Sequence, residues 1–344
     1  MNLAQPKGQP VNSHSNAGVP PLAFVQLLES QALGPDATAR FRHIMAREGT
    51  VEAALVKRDV QVPLRWFREV YPDLDVDQAT MLGLSFAEQA QLTSFGPLSV
   101  PLVSAGSVAE IVELLAFLPL ISTALSPLFH PSDNGLTVVL TGHTSDPGLD
   151  YLVVTYGGSA LLRLLDMLTG EMSTVTLHLS WPAPASHTRH QEVLAGRLFF
   201  DAPASFVHIP ADTLKEVCRF ADPVAYRLAI ADLQQTLDHR SGTTSFSDKV
   251  RRLLEEDPAQ TGSHSVADKL CVSTSTLKRR LSDEGTTFRE LRQTFLRERA
   301  MLRLLDGSMS VSEIAGDLGY SDLTNFSHAF KRWTGRSPSK FRHA

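Results

Sequence analysis

The feature of this 344-residue chain that most restricts its fold is an internal repeat near the end of the sequence. In "STSTLKRRLSDEG", a helix with Ser273 as N-cap and about 100° of turn per residue places Leu277 and Leu281 in one apolar stripe. Phe326 and Phe330 occupy the same positions 49 residues later, in "SDLTNFSHAFKRWTG". Two copies of one pattern at a fixed offset predict two copies of one supersecondary unit.

The second amphipathic helix is predicted to begin after Ser321 as N-cap and to end at Gly335. Ser337 and Pro338 then open a further short helix, because they suit an N-cap and a first helical position. The predicted buried stripe of the second helix consists of Leu323, Phe326, Phe330 and Trp333.

Each amphipathic helix follows a short helix and a tight turn, "SVADKLCVS" in the first copy and "MSVSEIAGDLGYS" in the second. Their apolar positions match at an offset of 48, so the second turn is one residue longer; the matching sets are Ala267, Leu270 and Val272, and Ala315, Leu318 and Tyr320. This order of elements predicts two helix-turn-helix units, at about 264–285 and 311–335.

A long helix is predicted between the two units, from Phe288 to Asp306. Its predicted apolar positions are Leu291, Phe295, Leu302 and Leu305. Nineteen residues span about 28 Å, close to the roughly 34 Å of one turn of DNA. The two amphipathic helices could therefore enter successive major grooves on one face of a duplex.

The polar faces of the two amphipathic helices carry hydroxyl, Lys, Arg and His side chains, which can reach base edges and phosphates in the major groove. In the first helix this face consists of Ser275, Lys278, Arg279 and Ser282; in the second it consists of Thr324, Ser327, His328 and Lys331. Double-stranded DNA is therefore the predicted partner of this part of the chain.

The charge of the chain is unevenly distributed. Residues 1–240 carry 15 Lys and Arg against 24 Asp and Glu, whereas residues 241–344 carry 17 against 13, within a net charge of −5. The sign changes within the polar stretch "DHRSGTTSFSD", which predicts a linker at 238–247. A basic segment appended to an acidic one favours a polyanionic partner for the second part alone.

The first part of the chain is predicted to mix helices and strands. Helical periodicity covers about Leu22 to Arg58, Asp77 to Leu92 and Ser107 to Leu118. Five β-branched or aromatic runs predict strands in a mostly antiparallel sheet: "GLTVVLTG", "LDYLVVTY", "STVTLHLSW", "GRLFF" and "ASFVHIP". The segment "GGSALLRLLDMLTG" predicts a helix with Ser159 as N-cap and Gly170 as its end. The expected fold class is α+β, with an all-α domain after this mixed one.

Sequence composition favours a cytoplasmic protein without a membrane partner. Residues 1–20 carry no signal-like apolar run and are predicted to form a disordered lead-in. The most apolar segment, Leu114 to Phe129, is shorter than the roughly 20 residues of a spanning helix and contains two prolines. Cys218 and Cys271 are too few for a disulfide framework.

Catalytic and metal motifs receive little support from the sequence. His187 and His190 stand three residues apart but have no Cys or carboxylate at ligand spacing, which favours a surface helix over a metal site. "YGGSALL" lacks both phosphate-loop patterns, so a turn and helix start is favoured there. We expect no catalytic residues, no metal and no cofactor; the remaining enzyme hypothesis is an activity located in residues 20–240.

Residues 248–343 closely resemble the DNA-binding domain of the AraC/XylS family of bacterial transcription regulators. The resemblance is carried by "VSEIAGDLGYSDLTNFSHAFKRWTGRSPSKFR" and implies that Ser275, Lys278 and Arg279, with Leu323, Thr324, Ser327 and His328, face bases or backbone. It also implies that Phe326 and Phe330 are core residues. His328 stands where many members carry Arg, so a bidentate guanine contact is absent there, and the first unit, with Arg280 beside Arg279, is expected to contribute more.

Residues 20–240 resemble the arabinose-binding-like N-terminal domain of one branch of that family, through "FGPLSVPLVSAGSVAEIVELLAFLPLI" and "GRLFFDAPASFVHIPADTL". The resemblance implies a regulatory domain at 21–237 and a DNA-binding domain at 248–344. It further implies a homodimer, a small-molecule effector of unspecified chemistry and RNA polymerase as a further candidate partner. The alternative is a regulator whose N-terminal domain only oligomerises or binds protein.

Overall fold

The computed structural model describes residues 17–30, 32–58, 60–144, 146–185, 194, 196–241, 246–256 and 262–342. The chain divides into two compact units, an N-terminal unit of residues 17–242 and a C-terminal unit of residues 243–340. The first mixes helices with a sheet and the second is helical, as the sequence predicts. The metal-site alternative at His187 and His190 lies outside the described residues, as does most of the predicted lead-in.

Nine helices and seven strands are described in the N-terminal unit, besides short 3-10 segments at Leu92–Leu98, Leu114–Leu120 and Thr213–Lys215. The helices are α1 (Pro21–Glu29), α2 (Gly34–Arg47), α3 (Glu52–Arg58), α4 (Arg65–Val70), α5 (Val76–Glu88), α6 (Ser99–Ser104), α7 (Val108–Glu113), α8 (Pro147–Thr169) and α9 (Pro223–Ser241). The strands are β1 (Gly18–Val19), β2 (Val62–Pro63), β3 (Leu125–Ser132), β4 (Gly135–Gly142), β5 (Thr176–His178), β6 (Leu198–Phe199) and β7 (Phe206–Pro210).

A five-stranded sheet has the order β3-β4-β7-β5-β6 and is antiparallel except for the β5–β6 pair. A row of cross-strand neighbours forms its inner face: Val138 pairs with Val207, Val207 with Leu177, and Leu177 with Leu198. All four are at most 3% exposed. This face packs against α8, so the predicted mostly antiparallel sheet is confirmed and its apolar side is identified.

Helix α8 replaces the strand that the sequence predicts at "LDYLVVTY". The helix begins at Pro147 because the Asp146 carboxylate accepts hydrogen bonds from the backbone nitrogens of Gly148 (3.0 Å) and Leu149 (3.3 Å). Ser159, predicted as an N-cap, lies in its interior and is 2% exposed. The predicted end at Gly170 is confirmed, with φ at 81°.

Two glycines in the middle of α8 explain why the helix was mistaken for a strand followed by a turn. A Cβ atom on Gly157 would stand 2.5 Å from Cδ2 of Leu125, and one on Gly158 would stand 2.5 Å from Cδ1 of Leu177. The glycines therefore let the helix approach the sheet closely. Among the described helices, α8 alone has the length and apolar composition to cross a membrane, and 67% of its apolar window is buried inside the unit.

An ion pair with little solvent exposure joins α8 to the sheet. The Arg197 guanidinium donates to both carboxylate oxygens of Asp166, at 2.9 and 2.6 Å, and also to the backbone carbonyl of Ser173 at 3.1 Å. The Arg197 side chain is 10% exposed and that of Asp166 is 27% exposed. The bidentate pair fixes the residue before β6 relative to the end of α8, and the contact with Ser173 adds the segment before β5.

The C-terminal unit consists of α10 (Phe246–Glu256), α11 (Ser263–Lys269), α12 (Thr274–Asp283), α13 (Phe288–Asp306), α14 (Val311–Asp317) and α15 (Leu323–Thr334), followed by α16 (Pro338–Arg342). Of the predicted linker at 238–247, residues 238–241 belong to α9 and residues 246–247 to α10, while 242–245 lie outside the described part.

Helix α13 has the predicted bounds, Phe288 to Asp306. Thr287 and Glu290 form a reciprocal capping box at its start, and Gly307, with φ at 73°, ends it. Its buried residues include Phe295, as predicted, but the face is shifted because Leu291, Leu302 and Leu305 are only partly buried. The other buried apolar residues of α13 are Leu296, Ala300 and Leu304.

Candidate nucleic-acid interface

The α11–α12 and α14–α15 pairs share one backbone construction. The Val272 nitrogen donates to the Ala267 carbonyl at 2.9 Å, and the Tyr320 nitrogen donates to the Ala315 carbonyl at the same distance. Each turn also contains a residue in the left-handed region, with φ at 53° for Cys271 and 78° for Gly319. The repeat predicted at an offset of 48 is thus present in the backbone hydrogen bonds as well as in the side chains.

The N-caps of the two amphipathic helices differ in chemistry. Ser273 caps α12, because its hydroxyl accepts from the Thr276 nitrogen at 3.1 Å. Asp322 caps α15 by accepting from the Asn325 nitrogen at 2.7 Å, so the predicted cap at Ser321 is wrong by one residue. Ser321 is instead the additional residue of the second turn. The Asp322 carboxylate, in place of a hydroxyl, also interacts favourably with the positive end of the helix dipole.

The inner faces of the reading helices α12 and α15 are fully packed. Leu277 is 2% exposed and Leu281 is fully buried in α12, while Phe326 and Phe330 are fully buried in α15. The Phe326 ring lies 5.8 Å from that of Phe330 and meets the Tyr320 ring edge-on at 5.5 Å. These rings hold α15 against its unit and are not available for contact with a ligand.

The apolar stripe predicted for α15 is narrower in the structure. Trp333 is only partly buried, and Leu323 is 42% exposed at the start of the helix. The exposure of Leu323 agrees with the family resemblance, which places it on the contact side, and disagrees with the helical stripe that grouped it with the core. An exposed leucine next to polar groups can contact the methyl group of thymine.

The predicted contact residues form two exposed polar faces, which we call the reading faces. The reading face of α12 consists of Ser275, Lys278, Arg279 and Ser282, all exposed. The reading face of α15 consists of Leu323, Thr324, His328 and Lys331, which are exposed, and Ser327, which is partly buried. Both faces lie opposite the buried residues of their own helix, as the 3.6-residue period requires.

The reading faces carry three cationic side chains that form no ion pair within the described part of the chain: Lys278, Arg279 and Lys331. Other arginines of the unit are used structurally: Arg251 pairs with the buried Glu298 at 2.5 Å, and Arg303 pairs with Asp317 at 2.7 Å. Unpaired cations on a single exposed helix face are available for phosphates or guanine edges.

The other exposed side chains of the reading helices include Arg280 and Asn325. Arg280 lies beside Arg279, but its guanidinium stands 5.1 Å from the centroid of the Phe246 ring of α10. Asn325, which is not among the contact residues predicted from the sequence, donates through its side-chain amide to Asp322. Asn325 could have been recognised by its residue type, since asparagine pairs with adenine in the major groove.

Two titratable groups beside the reading helices are held in one charge state. Burial raises the pKa of Tyr320, which keeps its hydroxyl neutral within the aromatic cluster of α15. Hydrogen bonds from Ser310 lower the pKa of Glu313, which closes the capping box of α14. Within the described ranges, no group of three or more His, Cys, Asp or Glu residues could hold a metal ion.

Two family profiles match this chain. A profile described as the arabinose-binding domain of AraC transcription regulators, N-terminal, matches residues 40–217, about half of the chain, and a helix-turn-helix domain profile matches residues 266–344. The chain belongs to the AraC family of transcription regulators. The second profile covers both reading faces, so the DNA-binding function predicted from the repeat is confirmed at the level of the domain.

AraC-family relatives of Pseudomonas aeruginosa resemble the chain over most of its length. It is 26% identical over 270 residues to an ornithine utilization regulator, covering 76% of this chain and 78% of that one. It is 24% identical over 282 residues to the helix-turn-helix regulator VqsM, covering 76% and 83%. The solved structure of the transcriptional regulator CdpR aligns over 88% of this chain and 98% of that one, with 23% identity and a TM-score of 0.41.

Proposed function

We propose that this AraC-family protein binds promoter DNA by inserting α12 and α15 into the major groove, with the two reading faces against the bases and phosphates. The observation that carries this proposal is the repetition of one arrangement, in which a fully packed inner face supports an exposed polar face with unpaired cations. A helix fits the major groove, and paired helix-turn-helix units on a connecting helix can address two groove segments.

The reading faces have different chemistry, which supports unequal roles. Arg279 can bond to guanine in a bidentate manner, and Lys278 and Lys331 suit phosphates. His328 presents an imidazole, which cannot donate two hydrogen bonds to one guanine in a bidentate manner. We therefore assign the larger share of sequence preference to α12, with Ser275 and Ser282 at its margins and Thr324 and Ser327 as hydroxyl contacts from α15.

The regulatory role is assigned to residues 21–237, joined through 238–247 to a DNA-binding domain at 248–344 and preceded by the lead-in at 1–20. This domain senses a small molecule and supports a homodimer, so that ligand and dimer arrangement together set the DNA affinity.

Exposed apolar residues leading into and along α9 support the dimer, since they form one contiguous stretch of the chain: Val217, Phe220, Val224 and Leu228. The protein acts in the bacterial cytoplasm, with RNA polymerase as a further partner.

The substitution Arg279→Ala tests the DNA-binding assignment. We expect it to weaken binding to a selected genomic site by about 1 to 3 kcal/mol and to relax the base preference at one position. The matched control is Arg252→Ala, which removes an equal charge from an exposed position on α10 outside the reading faces. Gel-shift titrations of the full-length protein at a fixed salt concentration measure both. Equal losses for the two variants would contradict the assignment of Arg279.

A further inference from the structure

The helical part of the N-terminal unit contains two adjoining cavities. One, of about 50 Å³, lies among Phe24, Phe67, Phe86 and Leu152, and the other, of about 90 Å³, lies among Leu102, Ile111, Leu118 and Leu164. The linings share Val19, Val153 and Tyr156, so these three residues border both cavities. Together they approach the size of the engineered apolar cavity of about 150 Å³ that binds benzene.

The walls of the cavities are almost entirely apolar. No charged residue of the described chain lines either of them, and their polar side chains are Gln89, Ser94, Ser122 and Tyr156. The two serine hydroxyls are already engaged: Ser94 donates to the Gln26 side chain, and Ser122 donates to the Gly18 carbonyl at 2.8 Å. A sugar in this space would lose water from several hydroxyl groups and find few partners for them.

Tyr156 is the one polar residue that lines both cavities among the described residues. Within the described residues its hydroxyl makes no hydrogen bond, and the Gln89 side-chain amide makes none either. Burial raises the pKa of Tyr156 to about 12, so the hydroxyl remains protonated and can donate. An unpaired donor on a side chain that lines two apolar cavities provides one polar anchor for an otherwise apolar molecule.

We propose that the two adjoining cavities are the effector site, and that the effector is an uncharged, mainly apolar molecule with one hydroxyl or carbonyl oxygen that pairs with Tyr156. This inference rests on the proposed effector-sensing function and specifies its ligand. The arabinose in the description of the family profile does not fit this lining, because arabinose is a polyol. An ionised carboxylate does not fit either, since no cationic side chain among the described residues lines the cavities.

The walls of the larger cavity are in contact with α9, the helix that precedes the C-terminal unit in the sequence. Leu102 of the larger cavity belongs to α6, and α6 packs against α9. The start of α9 is hydrogen-bonded to α6 and α7. The nitrogen of Asp222, the residue before the helix, donates to the Ser104 carbonyl at 2.9 Å, and the hydroxyl of Tyr226, in its first turn, donates to the Glu110 carbonyl at 3.1 Å. A ligand that displaces Leu102 therefore acts on the packing of α9, which ends next to residues 242–245.

Binding of straight-chain primary alcohols by the full-length protein tests this site. We expect 1-butanol to 1-octanol to raise the melting temperature saturably, with affinity rising about fourfold per added CH₂ until the cavities are filled. Hexanoate should bind at least tenfold more weakly than 1-hexanol, and arabinose should give no shift. Absence of saturable alcohol binding, or tighter binding of arabinose, would overturn the proposal.

The substitution Tyr156→Phe separates the anchor from the apolar walls. We expect about a fivefold loss of 1-hexanol affinity, as for one lost hydrogen bond, and no change for ethylbenzene, which lacks a polar group. The matched control is Tyr71→Phe, which removes a buried tyrosine hydroxyl that has no partner among the described residues, on a residue that lines neither cavity. Equal effects of the two substitutions on 1-hexanol binding would refute the role of Tyr156.

A parallel titration with promoter DNA distinguishes this inference from the proposed function. If alcohols bind in a Tyr156-dependent way without changing the DNA affinity, the site is supported and effector control of DNA binding is contradicted. If a polar metabolite changes the DNA affinity while alcohols do not bind, effector control is supported and the apolar site is contradicted.

Discussion

Phe326→Ala is expected to destabilise the second helix-turn-helix unit by about 3 to 5 kcal/mol, because it removes a fully buried ring from the support of α15. The ring packs against both Phe330 and Tyr320, so its loss leaves a cavity between α14 and α15 that the neighbours cannot close without moving. Hydrogen exchange of the full-length protein measures this effect, and protection should be lost mainly in residues 311–342.

The control for Phe326→Ala is Leu323→Ala in the same helix. Leu323 is 42% exposed, so its truncation should change stability by less than about 1 kcal/mol while still weakening DNA binding. Together the two variants distinguish a residue that supports the packing of α15 from one that contacts DNA. If Phe326→Ala left α15 protected and impaired only DNA binding, the inner and outer faces of the helix would have to be exchanged.

Arg197→Ala should destabilise the N-terminal unit by about 3 kcal/mol, because it leaves the Asp166 carboxylate without its bidentate partner. The value lies at the lower end for a buried pair, since 27% of the Asp166 side chain remains accessible to solvent. The Ser173 carbonyl also loses a donor. Chemical denaturation followed by far-ultraviolet circular dichroism measures the change in the free energy of unfolding.

Two further variants show whether burial is the cause. Arg47 pairs with Glu69 at 2.6 Å in the same unit, but the side chains are 49% and 43% exposed, so Arg47→Ala should cost less than about 1 kcal/mol. The double variant Arg197→Met with Asp166→Leu should recover part of the loss, because no uncompensated charge remains. Similar losses for Arg197→Ala and Arg47→Ala would contradict the structural role given to the buried pair.

The C-terminal unit could be predicted in detail because its helices carry their signals locally. Caps, a 3.6-residue apolar period and terminal glycines gave both bounds of α13, the N-cap of α12 and the end of α15. The one incorrect cap, Ser321, contradicted the offset of 49 residues, which maps Ser273 onto Asp322. Two capping residues side by side cannot be distinguished by residue type, whereas the repeat distinguishes them.

The N-terminal unit was predicted less well because its secondary structure depends on contacts between residues that are distant in the sequence. Helix α8 is apolar on most sides, and its paired glycines indicate a turn until Leu125 and Leu177 are known to pack against them. Strand β3 was missed because it contains Pro127 and Pro131, which a strand tolerates at a sheet edge, and among the described strands β3 pairs only with β4. The cavities could not be predicted, since distant elements contribute their walls.

The most direct test of the two-face account is a map of guanine N7 reactivity towards a methylating agent on a selected promoter site bound by the full-length protein. Guanine N7 lies in the major groove, so each inserted helix should protect its own segment. We expect two protected segments on one face of the duplex, centred about 10 base pairs apart for each bound chain. A single protected segment for each bound chain, or binding that leaves guanine N7 reactivity unchanged, would contradict the account.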